Sequence, residues 1–178
     1  MDGPWVCNTL SDPHDSVVES SVTLTTTAQP ICASGKMPNF ANYFNYVGKA
    51  IHLKGLARTT SGATPGNLEF QIMVGNNTAN NGQNIASLVA AWTANQSNYT
   101  WIFDLWVQCK AIGVSGSLMG HGVTFWQSVG YFPFNGQSPG IVTVDLTQNP
   151  LYFSPQVFRS GSTAESVWLF DYFFEALN

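Results

Sequence analysis

Val167-Trp-Leu-Phe-Asp-Tyr-Phe-Phe-Glu-Ala-Leu177 predicts one long β-strand, because apolar residues recur on both of the faces that a strand presents. One face carries Val167, Leu169, Phe173 and Leu177, interrupted by Asp171 and Glu175. The other face carries Trp168, Phe170, Tyr172, Phe174 and Ala176. A single sandwich core buries only one face, so the second needs another layer, a bound ligand or another copy of the chain. This strand therefore indicates assembly.

The rest of the chain shows a series of short strand patterns separated by turn residues. Alternation predicts strands at 50–58, 68–74, 99–110, 117–126, 141–146 and 151–158. Residues 85–92 suit either a strand or a short helix. Thr, Ser, Gly and Pro at 59–66 predict a turn, and residues 131–136 predict an aromatic loop. About eight strands without a long helix predict an all-β, antiparallel β-sandwich of the jelly-roll type.

Two glycines at alternate positions flank His121 in one of these strands. Gly120 and Gly122 leave one face of the strand flat. We expect a neighbouring strand, a ring or a bulge to press against that face.

The length of the chain, 178 residues, fits one domain. Residues 1–40 contain four prolines and two cysteines and predict an irregular N-terminal arm with one strand at 17–27. Residues 41–178 predict the jelly-roll domain. We expect the arm to lie over a neighbouring molecule.

The surface composition excludes some partners. Only 9% of residues are charged while 44% are apolar, so a folded monomer exposes an uncharged surface of the kind that contacts other molecules. The net charge is -4 and the six basic residues form no run, which argues against nucleic acid. No apolar stretch approaches the roughly 20 residues of a spanning helix. Without a basic, apolar N-terminal leader, synthesis in the cytoplasm is expected.

Cysteine and motif patterns favour neither a metal nor a cofactor. Cys7, Cys32 and Cys109 lack metal-ligand spacing. A Cys7–Cys32 disulfide could form in an oxidising compartment, but the odd number of cysteines favours buried or inert thiols. The Asn-X-Ser/Thr triplets at Asn76, Asn95 and Asn98 are interpreted as turns.

Catalytic motifs are also missing from the sequence, which contains no nucleophile elbow, P-loop, GxGxxG, HExxH or EF-hand pattern. Asp104, Asp145 and Asp171 lie in strands and could form a glycosidase-like carboxylate pair, although structural hydrogen bonding is the favoured interpretation. His121 could act as a base, but an interface role is favoured. We therefore expect no catalytic residues.

Aromatic residues near one loop are candidates for contact with a ligand or partner. Trp126, Tyr131, Phe132 and Phe134 could stack on a sugar. Core packing explains strand aromatics more often, but their place beside a loop keeps the binding interpretation open.

Three sequence blocks resemble jelly-roll proteins of the tailed-bacteriophage virion surface. The first is Gly48-Lys-Ala-Ile-His-Leu-Lys-Gly-Leu-Ala57 with Thr64-Pro-Gly-Asn-Leu-Glu-Phe-Gln-Ile-Met-Val-Gly75. The second is Trp101-Ile-Phe-Asp-Leu-Trp-Val-Gln-Cys-Lys-Ala-Ile-Gly-Val-Ser-Gly116 with Gly120-His-Gly122. The third is Val142-Thr-Val-Asp-Leu-Thr147 with the closing strand. The resemblance covers roughly residues 46–177 and implies a virion surface protein; the arm and residues 126–136 depart from it.

These observations together predict a non-enzymatic protein that decorates or cements the capsid surface as a homotrimer, bound to the major capsid protein. Its copies are expected to meet through Trp168, Phe170, Tyr172 and Phe174. The alternative is the receptor- or glycan-binding head of a tail fibre, with a host-surface glycan as partner. A carbohydrate hydrolase using Asp104 or Asp145 ranks third.

Overall fold

The structure is a computed structural model, and it describes residues 20–31, 37–76, 82–127, 129–134, 140–161 and 165–177. Cys7, Cys32 and the first nineteen residues of the predicted arm lie outside the described residues. The described residues contain no helix and form eleven strands. The strands are β1 Ser20–Thr23, β2 Gln29–Pro30, β3 Ala50–Thr60, β4 Asn67–Gly75, β5 Gln83–Ala91, β6 Tyr99–Ala111, β7 Gly116–Trp126, β8 Gly130–Pro133, β9 Ile141–Val144, β10 Tyr152–Arg159 and β11 Ser166–Leu177.

The strands form two antiparallel sheets packed as a sandwich. The larger sheet has the order β1-β11-β3-β6-β7-β8, with β9 also paired to β7, and the smaller sheet has the order β2-β10-β4-β5. The pairs β1–β11, β2–β10, β3–β6 and β4–β5 are nested in the sequence, as in a long hairpin folded over on itself. That nesting is the jelly roll that the sequence predicts. Strands β7–β9 extend the larger sheet beyond the eight strands of the roll.

Alternating side chains of both sheets fill the core. In β6 every second residue from Trp101 to Cys109 is buried: Trp101, Phe103, Leu105, Val107 and Cys109. They face Leu68, Phe70, Ile72 and Val74 of β4, also buried as expected. The ring of Phe70 packs edge-on against Trp101, with ring centroids 4.8 Å apart. Residues 85–92, open between helix and strand in the sequence, belong mostly to β5, because pairing with β4 satisfies their backbone groups.

The described part of the predicted N-terminal arm belongs to the sandwich. Strand β1 pairs with β11, and β2 pairs with β10. Leu24 and Ile31 are fully buried, and Met37 and Phe40 nearly so. Residues 20–31 and 37–40 therefore belong to the sandwich domain and not to the predicted arm, because their apolar side chains complete the core.

Strand β11 contains a β-bulge, and the bulge changes which of its side chains share a face from what the sequence predicted. The pairing of β11 with β3 shifts register between Leu169 and Asp171. Such an extra residue transfers every later side chain to the opposite face. Val167 and Leu169 before the bulge are buried, and so are Tyr172 and Phe174 after it, whereas Trp168 is exposed.

The prediction that Trp168, Phe170, Tyr172 and Phe174 share one interface face is therefore wrong. Tyr172 and Phe174 lie in the core of the chain itself and are 2% and 1% exposed. The side chain of Phe170 lies outside the described part of the structure. Of the four residues, Trp168 alone is described as exposed.

Cys109 in β6 is a thiol sealed in the core. Burial raises its pKa, and hydrogen bonding with the backbone of Ala111 opposes that rise. Because the folded pKa lies above the unfolded one, the stability contributed by the neutral thiol is complete below the unfolded pKa and is lost as the pH rises through the folded pKa.

We expect iodoacetamide at pH 8.5 to alkylate Cys109 at least about a hundredfold more slowly in the folded chain than in urea, because labelling requires opening of the core. The measurement is mass spectrometry over time on the Cys7→Ser/Cys32→Ser variant, so that modification reports Cys109. Equal rates in buffer and in urea would contradict the buried position.

Candidate interaction surface

The outer face of the larger sheet carries exposed apolar side chains across several adjacent strands. We call it the outer face; it is formed by the residues that alternate with the core residues of β3, β6, β7, β8 and β11. Its most exposed large apolar residues are Leu56, Trp106, Val123, Tyr131 and Trp168. Scattered apolar residues are common on protein surfaces, but a contiguous set is typical of a contact site.

A shallow apolar depression lies near the centre of the outer face. Its volume is about 200 Å³, and its lining residues are Lys54, Gly55, Leu56, Ile102 and Phe173. Register explains the arrangement, because Leu56 stands opposite Ile102, and Phe173 stands opposite Lys54. Phe173 reaches the outer face only because the bulge in β11 reverses its direction. The sequence predicted the strands that contain Leu56 and Ile102 but did not connect these residues to Phe173.

A polar network borders this depression and is centred on His52. The ring Nε2 lies 2.7 Å from Asp104 Oδ1, and Nδ1 lies 2.9 Å from Glu175 Oε2. The imidazole stacks on Trp106 with ring centroids 4.3 Å apart. A ring with one N–H donates to one carboxylate, and a ring with two donates to both. The network joins β3, β6 and β11, and it holds the Trp106 indole in place.

The acidic groups of the network are therefore paired within the chain. Asp104 accepts from His52 and also lies 3.9 Å, through Oδ2, from Lys54 Nζ. Glu175 is engaged by the same imidazole. A partner that covers the outer face would meet charges that already have partners, which lowers the desolvation penalty of burying them.

The structure separates the carboxylates that were candidates for acid–base chemistry. Asp104 belongs to the His52 network on the outer face, whereas Asp145 follows β9 and accepts hydrogen bonds from the hydroxyl and backbone N–H of Thr147. These two bonds lower the pKa of Asp145, the side-chain bond being the larger cause. The side chain of Asp171 lies outside the described residues. Asp104 and Asp145 thus each have hydrogen-bond contacts within the chain, on different strands of the larger sheet or directly after one.

His121 is exposed on β7, opposite Trp106 on the neighbouring strand. The flanking glycines do receive close neighbours, as expected. A Cβ at Gly120 would lie 2.5 Å from the Ile85 carbonyl oxygen, and one at Gly122 would lie 2.1 Å from the Asp104 carbonyl oxygen. His121 thus contributes to the outer face, where a contact role remains a prediction.

Most of the aromatic residues predicted to form a contact site near the loop are buried or partly buried in the structure. Trp126 is 1% exposed and donates from Nε1 to Thr59 Oγ1 at 2.9 Å, and Phe134 is 6% exposed and packs against Phe70. Phe132 is partly buried against the core. The four aromatic residues do not form one exposed site, because Gly130–Pro133 forms strand β8, in which alternate side chains point inward. Tyr131 is 76% exposed and joins the outer face, where its ring is tilted by 47° against that of Phe125, with ring centroids 4.9 Å apart.

Comparisons with known proteins return no match to a family model, to a curated protein or to a solved structure. Among the described residues, no helix has the length and apolar character needed to cross a membrane. In the same part of the chain, no group of three or more His, Cys, Asp or Glu side chains is placed to hold a metal ion.

Proposed function

We propose that the chain is a non-enzymatic structural protein of a bacteriophage virion, which decorates or cements the capsid surface as a homotrimer. The observation that carries the proposal is the exposed apolar outer face of the larger sheet. The resemblance of the three sequence blocks to phage virion proteins supports the virion assignment. The major capsid protein is the second proposed partner.

The energetic argument concerns the apolar area of the outer face. Leu56, Val123 and Trp106 are 42%, 48% and 40% exposed, and all lie on this face. Burial of apolar area contributes about 25 cal/mol per Å², so a few hundred Å² per subunit provides several kcal/mol before association costs. Interface centres are depleted in charge, and the charges near the depression are already paired within the chain.

The test of self-association is the oligomeric state of purified protein, measured by size-exclusion chromatography with light scattering. We expect a trimer for the wild type and a monomer for Leu56→Asp, because association would have to remove the new carboxylate from water. Circular dichroism checks that the variant remains folded.

Val89→Asp is the matched control for this experiment. Val89 is 59% exposed on β5 of the smaller sheet, so its replacement introduces the same charge away from the outer face. The control should remain trimeric. A monodisperse wild-type monomer at micromolar concentration would refute self-association, and cryo-electron microscopy that finds no copy of the chain on a virion would refute the capsid role.

The alternative is a receptor- or glycan-binding head of a tail fibre. Two residues of the contact site predicted for this role, Trp126 and Phe134, are buried in the core. Tyr131 remains exposed, but one tyrosine beside Phe125 is a smaller platform than the outer face as a whole. The structural role is therefore the better supported of the two.

A further inference from the structure

The His52 network on the outer face needs more protons than a neutral histidine carries. Both ring nitrogens lie within hydrogen-bond distance of a carboxylate, Nε2 at 2.7 Å from Asp104 Oδ1 and Nδ1 at 2.9 Å from Glu175 Oε2. An ionised carboxylate only accepts, so each of the two contacts requires an N–H on the ring. The imidazolium supplies both N–H groups, whereas the neutral ring supplies one. The other nitrogen of a neutral ring would set its lone pair against a carboxylate oxygen.

Packing keeps the imidazole of His52 between the two carboxylates. The side chain is 12% exposed, and its ring stacks on the Trp106 indole with an interplanar angle of 11°. The Phe173 ring packs edge-on against it, with ring centroids 5.9 Å apart. The imidazole is therefore not free to turn into water when it loses a proton. Glu175 is more exposed than Asp104, at 38% against 30%, and its contact is the longer one, so it is the contact that the neutral ring gives up.

Protonation of His52 decides the charge balance of the network. The charged and titratable side chains that face His52 are Lys54 of β3, Asp104 of β6, Glu175 of β11 and, beyond Trp106, His121 of β7. With an imidazolium, the ammonium and the imidazolium balance the two carboxylates. With a neutral ring, one negative charge is left over, on the carboxylate that has also lost its hydrogen bond.

We propose that protonation of His52 regulates self-association through the outer face, so that the oligomer is favoured at mildly acidic pH and weakened as the pH rises. This inference rests on the self-association proposed above. At low pH a second copy covers charges that are balanced and hydrogen-bonded. At high pH it has to bury a carboxylate without its donor, which is costly. Histidine is the side chain whose charge ordinarily changes between pH 5 and 8.

The sign of the pH effect follows from proton linkage. The associated state holds the imidazolium, so association above the titration range of His52 takes up a proton in each subunit. The association constant therefore falls as the pH rises, by no more than about tenfold per subunit and pH unit. We expect the protein concentration at which the trimer is half dissociated to rise by at least about tenfold between pH 5.5 and pH 8.0.

The test is a dilution series followed by light scattering at the two pH values, with circular dichroism to show that the fold is the same at both. His52→Gln should remove the pH dependence, because glutamine does not titrate. His121→Gln is the matched control, because it removes an exposed histidine from the same face and leaves the network intact. This control should keep the pH dependence of the wild type.

Glu175→Gln tests the proposed cause by restoring the missing hydrogen bond. The introduced amide donates as well as accepts, so it satisfies the unprotonated Nδ1 of a neutral ring, and it also removes the surplus negative charge. We expect Glu175→Gln at pH 8.0 to associate about as tightly as the wild type does at pH 5.5. A residue with a merely structural role would not give this rescue.

The outcomes separate this inference from the function on which it rests. A wild type that is monomeric at both pH values would refute self-association itself, and the regulation with it. A trimer that is half dissociated at the same concentration at pH 5.5 and pH 8.0 would overturn the role of His52 alone. Persistence of the full pH dependence in His52→Gln, or no gain in association for Glu175→Gln at pH 8.0, would overturn it as well.

Discussion

Gly120→Val is expected to destabilise the protein by about 3 kcal/mol or more, at the upper end of overpacking effects. Gly120 lies where β7 of the larger sheet meets β5 of the smaller one. A Cβ there would stand 2.5 Å from the carbonyl oxygen of Ile85 and 3.2 Å from its carbonyl carbon. These are backbone atoms of Ile85, which lies at the register shift in β5 between the paired residues Asn84 and Ala86, so they cannot rotate away as a side chain can. The two sheets would have to separate.

Urea unfolding followed by tryptophan fluorescence measures this effect as a shift of the transition midpoint at constant slope. His121→Val is the control, because it introduces the same side chain at the next residue, which is exposed on the outer face. Exposed substitutions usually change stability by no more than about 0.5 kcal/mol. Similar midpoints for the two variants would show that β7 and β5 do not pack as described.

Much of the sandwich was predictable because the period of a strand is two. In β6 the predicted strand is present, and its buried residues Trp101 and Phe103 alternate with the more exposed Ile102 and Asp104. The flat face at Gly120 also anticipated a close neighbour. Both predictions rest on local geometry, which a sequence pattern contains directly.

The bulge in β11 was not predictable in the same way. Aromatic residues occupy both faces of Val167–Leu177, so the hydrophobic pattern fits either register after Leu169. The choice is made by pairing with β3, which places Tyr172 opposite Gly55. Burial of Tyr172 and Phe174 then follows from a contact between strands more than a hundred residues apart in the chain.

The polar network on the outer face depends on long-range register as well. His52 contacts Asp104, 52 residues away, and Glu175, 123 residues away. Residue types gave a hint, since histidine and carboxylate side chains were present, but the strand order that assembles them was not contained in the local sequence pattern.

Arg159 and Glu165 form a buried ion pair that ties the N-terminal segment to the jelly roll. Arg159 Nη1 lies 3.1 Å from Glu165 Oε2, and the Glu165 side chain is 0% exposed. Arg159 Nε also donates to the Leu24 carbonyl, and Nη1 donates to the Gly161 carbonyl at 2.9 Å. The backbone N–H of Leu24 donates to the Glu165 carbonyl at 2.8 Å. Hydrogen bonds to both Arg159 and Glu165 thus fix the backbone at Leu24.

We expect Arg159→Met to lower the free energy of unfolding by about 3–5 kcal/mol, because it leaves the Glu165 carboxylate buried without its cation. That loss is a large part of the roughly 5–15 kcal/mol available to a domain. Urea unfolding measures it. Hydrogen exchange should show the earliest loss of protection at the backbone N–H groups of Leu24 and residue 159, which donate to the carbonyls of Glu165 and Thr25.

The double variant Arg159→Met/Glu165→Leu distinguishes an unpaired charge from lost packing. Removing both partners takes away the uncompensated carboxylate, so we expect the double variant to be at least about 1–2 kcal/mol more stable than Arg159→Met alone, despite carrying one more substitution. The remaining loss reports the bonds from the guanidinium to the carbonyls of Leu24 and Gly161. If the second substitution lowered stability further, the ion pair would not be what holds this part of the fold, and backbone hydrogen bonding alone would have to explain the cost of losing Arg159.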